Sequence, residues 1–171
     1  MSIKRVLDAL VGRAILATAV IAIIGLAVAS CGGSGSSGKY KATFLSPTVQ
    51  GDTFTIPLTK VQSSVNARFL ATTPAGQESF MVYVYKGQTY VRASVCVPCG
   101  GRSFTLQGST LVCDTCGTIF DAATGKGKSG VPACQTYNKA PVAFKVADGN
   151  IVMKTADLLS AFQTTLDRKP Y

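Results

Sequence analysis

The sequence has no histidine and no tryptophan, and its acidic residues are few: 8 Asp and Glu against 17 Lys and Arg in 171 residues. The missing imidazole excludes His-based catalytic triads, His-Glu-x-x-His zinc hydrolases and mixed His/carboxylate iron sites. Any metal must be held by cysteine or oxygen. No Walker-type phosphate loop and no Gly-x-Ser-x-Gly elbow occurs. Asp121 and Asp148 stand in turn contexts, not as a paired acid and base. An enzyme is therefore the weakest class, behind an electron-transfer or metal-binding protein. The formal net charge is +9, with Lys4, Arg5 and Arg13 at the extreme N-terminus. From residue 32 on, 14 basic and 7 acidic residues are scattered, without a basic run or an aromatic–basic signature. Nucleic acid is not an expected partner of such a surface. It is either simply solvated or able to meet an acidic partner or anionic lipid, with Lys126 and Lys128 beside Gly127 as the residues to test.

The basic N-terminus leads into residues 14–30, an uncharged run of 17 apolar or small residues that ends in Val28-Ala29-Ser30-Cys31. Positive start, apolar stretch and small-residue end describe a secretory signal. The ending resembles a bacterial lipobox, in which Cys31 would become the lipid-modified first residue of the mature protein. The alternative is an uncleaved hydrophobic helix, at the short end for a membrane span. Both place the remainder outside the cytoplasm at the cell membrane, as a lipoprotein or behind a single-pass anchor. Residues 1–31 are thus read as signal or anchor and 32–41, rich in Gly and Ser, as a flexible linker. Residues 42–171 form the folded domain.

That domain reads as mainly β. Residues 53–58 alternate Phe54, Ile56 and Leu58 on one face, with Pro57 suggesting an edge strand. Residues 66–72 alternate Ala67, Phe69 and Ala71; residues 79–85 are dense in Phe, Val and Tyr; and residues 89–95 follow a Lys86-Gly87-Gln88 turn. Gly108 divides a hairpin of residues 103–107 and 110–112. Asp148-Gly149 between residues 142–147 and 150–154 predicts a hairpin with a primed turn. One C-terminal helix is expected, capped by Thr155, with Asp157 at its positive end and a stripe of Leu158, Leu159, Phe162 and Leu166. Arg168 and Lys169 suit its end, and Pro170 stops it.

Six cysteines occur; with Cys31 assigned to lipid, four of the remaining five form Cys96-x2-Cys99-x13-Cys113-x2-Cys116. Two residues between ligands let one turn aim both sulfurs at a common atom. Gly100 and Gly117 follow the second cysteine of each pair and let the backbone fold back with its N–H groups toward the thiolates. The intervening hairpin brings the two knuckles together, which predicts a tetrahedral four-sulfur site suited to zinc or iron. Disulfides are the alternative in an oxidising compartment, but five cysteines leave one over, and a ring closed within Cys-x-x-Cys staples little chain. Cys96-Val-Pro-Cys99 has thioredoxin-like spacing, yet Gly100-Gly101 follows where that chemistry wants a helix. A zinc site would be structural; a single iron or a [2Fe–2S] cluster would carry electrons. Both the zinc site and the oxidised two-iron site carry a charge of about −2, so electrostatics does not separate them. Cys134 is a buried small hydrophobe, a fifth thiol or metal ligand, or half of a disulfide with a partner.

Cys113-Asp-Thr-Cys-Gly-Thr-Ile-Phe-Asp-Ala-Ala-Thr-Gly125, followed by Gly130-Val-Pro132, Pro141, Phe144 and the Asp-Gly hairpin, resembles the second cluster loop of Rieske proteins. Cys116 stands where those carry histidine, and Cys96-x-x-Cys99 stands where they carry Cys-x-His. Over about residues 53–155 the domain is similar to the FtrD-like membrane-associated iron–sulfur proteins: Phe80–Val84, Gly87 to Val91, both Cys pairs, Phe120, a Gly-rich segment with Cys134 and the closing hairpin. The segment ending in Cys134 departs from the Gly-Gly-Cys form. The resemblance implies a small Rieske-like β-sandwich or barrel and a membrane-bound Fe–S protein whose relatives serve ferrous-iron uptake or redox systems. The expected role is a one-electron carrier, tethered outside the cytoplasm, with a membrane redox or transport partner. The competing roles are an iron or Cu(I) binding and delivery module, and an interaction domain held by structural zinc.

Overall fold

In the computed structural model the chain divides into two units, residues 1–34 and 35–171. The structure describes residues 38–167. The expected signal, Cys31, residues 32–37, the helix-end residues Arg168 and Lys169 and the helix-stopping Pro170 lie outside that range. No helix among the described residues is long and apolar enough to cross a membrane.

Thirteen strands among the described residues form three sheets. One runs β2 (Thr43–Phe44), β5 (Asn66–Thr73), β6 (Gly76–Tyr85), β7 (Gln88–Ala93). A second runs β12 (Lys145–Ala147), β13 (Asn150–Lys154), β4 (Thr53–Pro57), β3 (Thr48–Gln50). The third runs β1 (Lys39–Tyr40), β8 (Phe104–Gln107), β9 (Thr110–Cys113), β10 (Ile119–Asp121), β11 (Gly127–Ser129). Lys39 and Tyr40, inside the expected linker, pair with Gln107 and Leu106.

Strand alternation makes β6 the divide between two cores. Phe80 and Val82 pack into a large core with Phe54, Ile56, Phe69, Ile151 and Leu158. Met81 and Tyr83, on the opposite face, pack into a smaller core with Phe104, Leu111 and Phe120, and this core also contains Cys96, Cys113 and Cys134. Both faces of this strand are therefore buried, which accounts for its unbroken apolar run.

Several expectations change. The single helix expected in the domain becomes three among the described residues: α1 (Leu58–Ser64), α2 (Pro132–Gln135) and α3 (Thr155–Leu166), besides a 3-10 turn at Val97–Cys99. Leu58 opens α1 instead of ending a strand. Pro57 does not mark an edge: β4 lies between β13 and β3, but β3 pairs only with Thr53 to Thr55, so Pro57 overhangs it and no N–H is needed there. Thr155 is the first residue of α3 and donates its hydroxyl to the Asp52 carbonyl instead of capping. Leu166 is exposed; Thr165 takes the buried position because its hydroxyl accepts the Ala140 N–H. The final hairpin forms, with Asp148 at φ 49° and Gly149 at φ 71° supplying the primed turn, but its first strand is Lys145–Ala147 and not residues 142–147, because Val142 N–H donates to Val91 O on β7 instead.

Candidate metal centre

The two Cys-x-x-Cys segments fold into matching knuckles. Cys96 N–H donates to Gly101 O at 2.7 Å, and Cys113 N–H to Thr118 O at 2.9 Å. Gly100 N–H donates back to Cys96 O, and Gly117 N–H to Cys113 O. These loops close only if the residue after the second cysteine turns left-handed, and Gly100 and Gly117 have φ of 70° and 71°. A side chain at Gly101 would meet Cys113 Sγ at 2.7 Å, so the thiols exclude one there. The hairpin register sets Phe104 opposite Cys113 and so brings the second knuckle beside the first. Asp114 fixes it further, accepting the Ser103 and Thr105 hydroxyls at 2.6 Å each.

Five thiols converge. Cys96 Sγ lies 3.9 Å from Cys116 Sγ, and Cys99 Sγ lies 3.8 Å from Cys113 Sγ. Cys134, which the sequence left open, is carried on α2 with its Sγ 3.8 Å from Cys116 Sγ. The Sγ atoms of Cys96, Cys99, Cys116 and Cys134 all lie within 4.8 Å of one another. Cys113 is adjacent to this set through Cys99. All five are free thiols, so the disulfide alternative is not what the structure contains. Cys96, Cys113 and Cys134 are buried, while Cys99 and Cys116 are partly exposed.

The surroundings shift the thiols apart. Hydrogen bonding with Cys96 holds the Cys113 thiol down at about 5, and the reciprocal contact with Cys113, with burial, pushes Cys96 up. Burial pushes Cys99 up to about 11 against the pull of the Gly101 amide, whose N–H reaches its sulfur at 3.4 Å. Burial also opposes ionisation of Cys116, but hydrogen bonds with Thr118 outweigh it and leave Cys116 low. Thr118 Oγ1 sits 3.1 Å from Cys116 Sγ while accepting the Val131 N–H, so its own hydrogen is free for the sulfur.

Two buried cations border this core, and sequence reasoning missed both. Arg92 donates to Tyr83 Oη and to the carbonyls of Ala123 and Lys139. Burial pushes the Tyr83 phenol up to about 12, against the pull of Arg92. Lys139 is fully buried, with Nζ 2.7 Å from the carbonyls of Val95 and Tyr137 and 4.2 Å from the Phe120 ring centre. Burial lowers its ammonium to about 8, while the thiols of Cys96, Cys113, Cys134 and Cys99 act in the opposite sense. Of the other residues singled out in the sequence, Asp121 is a turn former, accepting the N–H groups of Ala123 and Thr124. Lys126 and Lys128 are exposed, with Lys128 3.9 Å from Asp121.

The donor set fits iron or zinc. A metal–sulfur bond of about 2.3 Å gives a tetrahedral edge of about 3.8 Å, which is the spacing of the closest thiol pairs.

A family model described as "Membrane iron-sulfur containing protein FtrD-like" matches residues 61–164. No curated protein matches the chain. Among solved structures, a chain in the complex of reduced oxygenase and oxidized ferredoxin in carbazole 1,9a-dioxygenase is similar, at 19% identity and TM-score 0.50. The match covers 62% of this chain and 95% of that one. A ferredoxin from Sphingomonas yanoikuyae B1 matches at 24% identity and TM-score 0.39, over 45% of this chain and 74% of that one. The fold is thus shared with the first of these. Cys116, in the stretch that resembles the second Rieske cluster loop, and Cys99 both lie in the thiol cluster.

Proposed function

The chain belongs to the FtrD-like family of membrane iron–sulfur proteins, and from that membership we propose that it is a one-electron carrier, tethered to the outer side of the cell membrane through its N-terminus. The observation that carries the reading is the convergence of five free thiols, with Cys99 and Cys116 partly exposed and the other three buried. Iron bound by thiolates supplies reversible one-electron chemistry. The protein's share is to hold the thiolates, keep water from the three buried ones and let a partner approach the other two. Pro98, Gly100, Thr115 and Gly117 around that edge are exposed and uncharged, which suits contact with a membrane redox or transport protein. Iron uptake is the process such a carrier would serve. Cys31 is the proposed lipid-bearing residue, and a Cys31→Ser chain should lose incorporated fatty acid if it is.

For a two-iron core we assign Cys96, Cys99, Cys113 and Cys116 as ligands, with Cys134 alongside. A second reading is favoured by the thiol spacing. Terminal thiolates on opposite irons stand farther apart than one tetrahedral edge, whereas Cys96, Cys99, Cys116 and Cys134 lie within 4.8 Å of one another. That set suits a single ion.

The test is metal content, acid-labile sulfide and visible spectrum of residues 39–171 purified without oxygen. Iron and sulfide in equal amounts with a bleachable absorption support the two-iron carrier. Iron without sulfide supports the single-ion centre. One colourless zinc per chain would refute electron transfer.

A further inference from the structure

Lys139 has no exposed surface, yet lysine is almost never fully buried unless its charge is matched. Among the described residues the ion pairs are Arg102–Glu78, Lys128–Asp121 and Lys154–Asp52, and none involves Lys139. Its Nζ instead donates to Val95 O, one peptide from Cys96, and to Tyr137 O, on the segment that follows Cys134. The faces of Phe120 and Phe104 cover it at 4.2 and 5.5 Å. Phe104, Phe120, Cys96, Cys113 and Cys134 all belong to the same buried core. Two carbonyls and two rings satisfy an ammonium's donors but do not neutralise it.

Resting on the iron–sulfur reading above, we propose that Lys139 is the counter-ion of the thiolate centre, a positioning residue whose fixed charge favours the reduced state. The electron comes from an external one-electron donor; no bond forms or breaks. Uptake makes the site one unit more negative, and a cation held in the same low-dielectric core stabilises that added charge. A role limited to hydrogen bonding would be served equally by a neutral donor.

The experiment is a redox titration of iron-loaded wild type, Lys139→Arg and Lys139→Met. We expect Lys139→Arg to stay within about threefold of wild type in its reduction equilibrium. Lys139→Met should be reduced at least tenfold less favourably, which is a midpoint lower by about 59 mV for one electron. Equal midpoints for Met and Arg variants with equal iron content would overturn the proposal. If Lys139→Met does not load iron, zinc-loaded wild type labelled with 15N-lysine decides. One slowly exchanging ammonium signal, lost in Lys139→Arg, supports the counter-ion; a neutral amine refutes it. Wild type without iron would overturn the electron-carrier reading instead, and the zinc form would still test the counter-ion.

Discussion

Gly127→Ala tests whether close packing of the Gly-rich segment seats Cys134. Gly127 lies in β11, outside the left-handed region, so alanine meets no backbone strain there. What it meets is α2: a Cβ would lie 2.2 Å from Gln135 O and 2.7 Å from Gln135 Cα. Reaching 3.4 Å, where ordinary contact begins, requires a displacement of about 1.2 Å. Gln135 is the residue after Cys134. If α2 moves as a unit away from β11 and the shift is transmitted in full, the 3.8 Å separation of Cys134 Sγ from Cys116 Sγ grows to about 5 Å, beyond a tetrahedral edge of about 3.8 Å. The overpacking should also cost about 1–3 kcal/mol. The assay is alkylation of the metal-loaded protein by iodoacetamide, read by peptide mass spectrometry, beside thermal unfolding. Cys134 should be protected in wild type and modified in the variant. Gly108→Ala is the control: Gly108 has φ 56° with open space around its Cβ position, so alanine there costs about 1 kcal/mol of backbone strain and should leave Cys134 protected. Equal protection of Cys134 in wild type and Gly127→Ala would refute the idea that this contact seats the thiol.

Cys134→Ser separates the two metal readings. It should strip more than about 90% of the metal, a tenfold or greater loss of retention, from a single-ion centre made by Cys96, Cys99, Cys116 and Cys134. A two-iron centre on the four knuckle thiols should survive it, and metal analysis after gel filtration tells which. Asp114→Ala removes the acceptor of two hydroxyl hydrogen bonds at 2.6 Å; denaturant unfolding should show a loss of about 2–3 kcal/mol, and a loss below about 0.5 kcal/mol would deny this carboxylate its part in fixing the knuckle. Metal retention should weaken on acidification, because binding needs thiolates and protons compete for them. Burial holds Cys99 up at about 11 and the contact with Cys113 pushes Cys96 up, so both must shed a proton to bind metal at neutral pH. Chelator competition at pH 8, 6.5 and 5 should show about tenfold weaker binding per unit for each proton displaced, and a flat profile would contradict thiolate ligation.

Strands β4 to β9, β12 and β13 and both knuckle turns were legible because local signals point the same way as the fold, whereas β1 to β3, β10 and β11, of two or three residues each, are too short to show alternation. Ala67, Phe69 and Ala71 alternate in sequence and all three are buried. Asp148-Gly149 specifies its own turn. Gly100 and Gly117 follow their cysteines where the left-handed residue is required. α1 was missed because its sequence, Leu-Thr-Lys-Val-Gln-Ser-Ser, has no acidic residue in its first turn and no side-chain cap, and buries only Val61. α2 has four residues, too short for a period to register. Lys139 was illegible for a different reason. Its burial depends on a carbonyl 44 residues away in the chain and on rings from two other strands, none of which marks the lysine itself. Thr165 likewise fills a core position that helical periodicity of apolar residues passes over, because its partner is the amide of Ala140.

With the proposed ligand set, cysteine at Cys99 and Cys116, where the Rieske proteins this stretch resembles carry histidine, has an electrostatic consequence that links these residues. Neutral imidazoles at the positions of Cys99 and Cys116 would leave the centre two charges less negative than thiolates do. Thiolates there raise the cost of reduction, and burial of Cys96, Cys113 and Cys134 removes the water that would screen the charge. The proposed four-thiolate centre therefore needs more donors and cationic charge around it than a centre with two neutral imidazole ligands would. The Gly101 N–H at Cys99 and the Thr118 hydroxyl at Cys116 meet these two sulfurs individually. Lys139, held against the same core by Val95 and Tyr137, offsets charge without contacting a single ligand in particular. On this reasoning Thr118→Val should lower the midpoint by up to about 60 mV, the equivalent of one hydrogen bond of about 1.4 kcal/mol, and combining it with Lys139→Met should lower it further. A double variant no lower than Lys139→Met alone would mean that the hydroxyl does not act on the ligand charge.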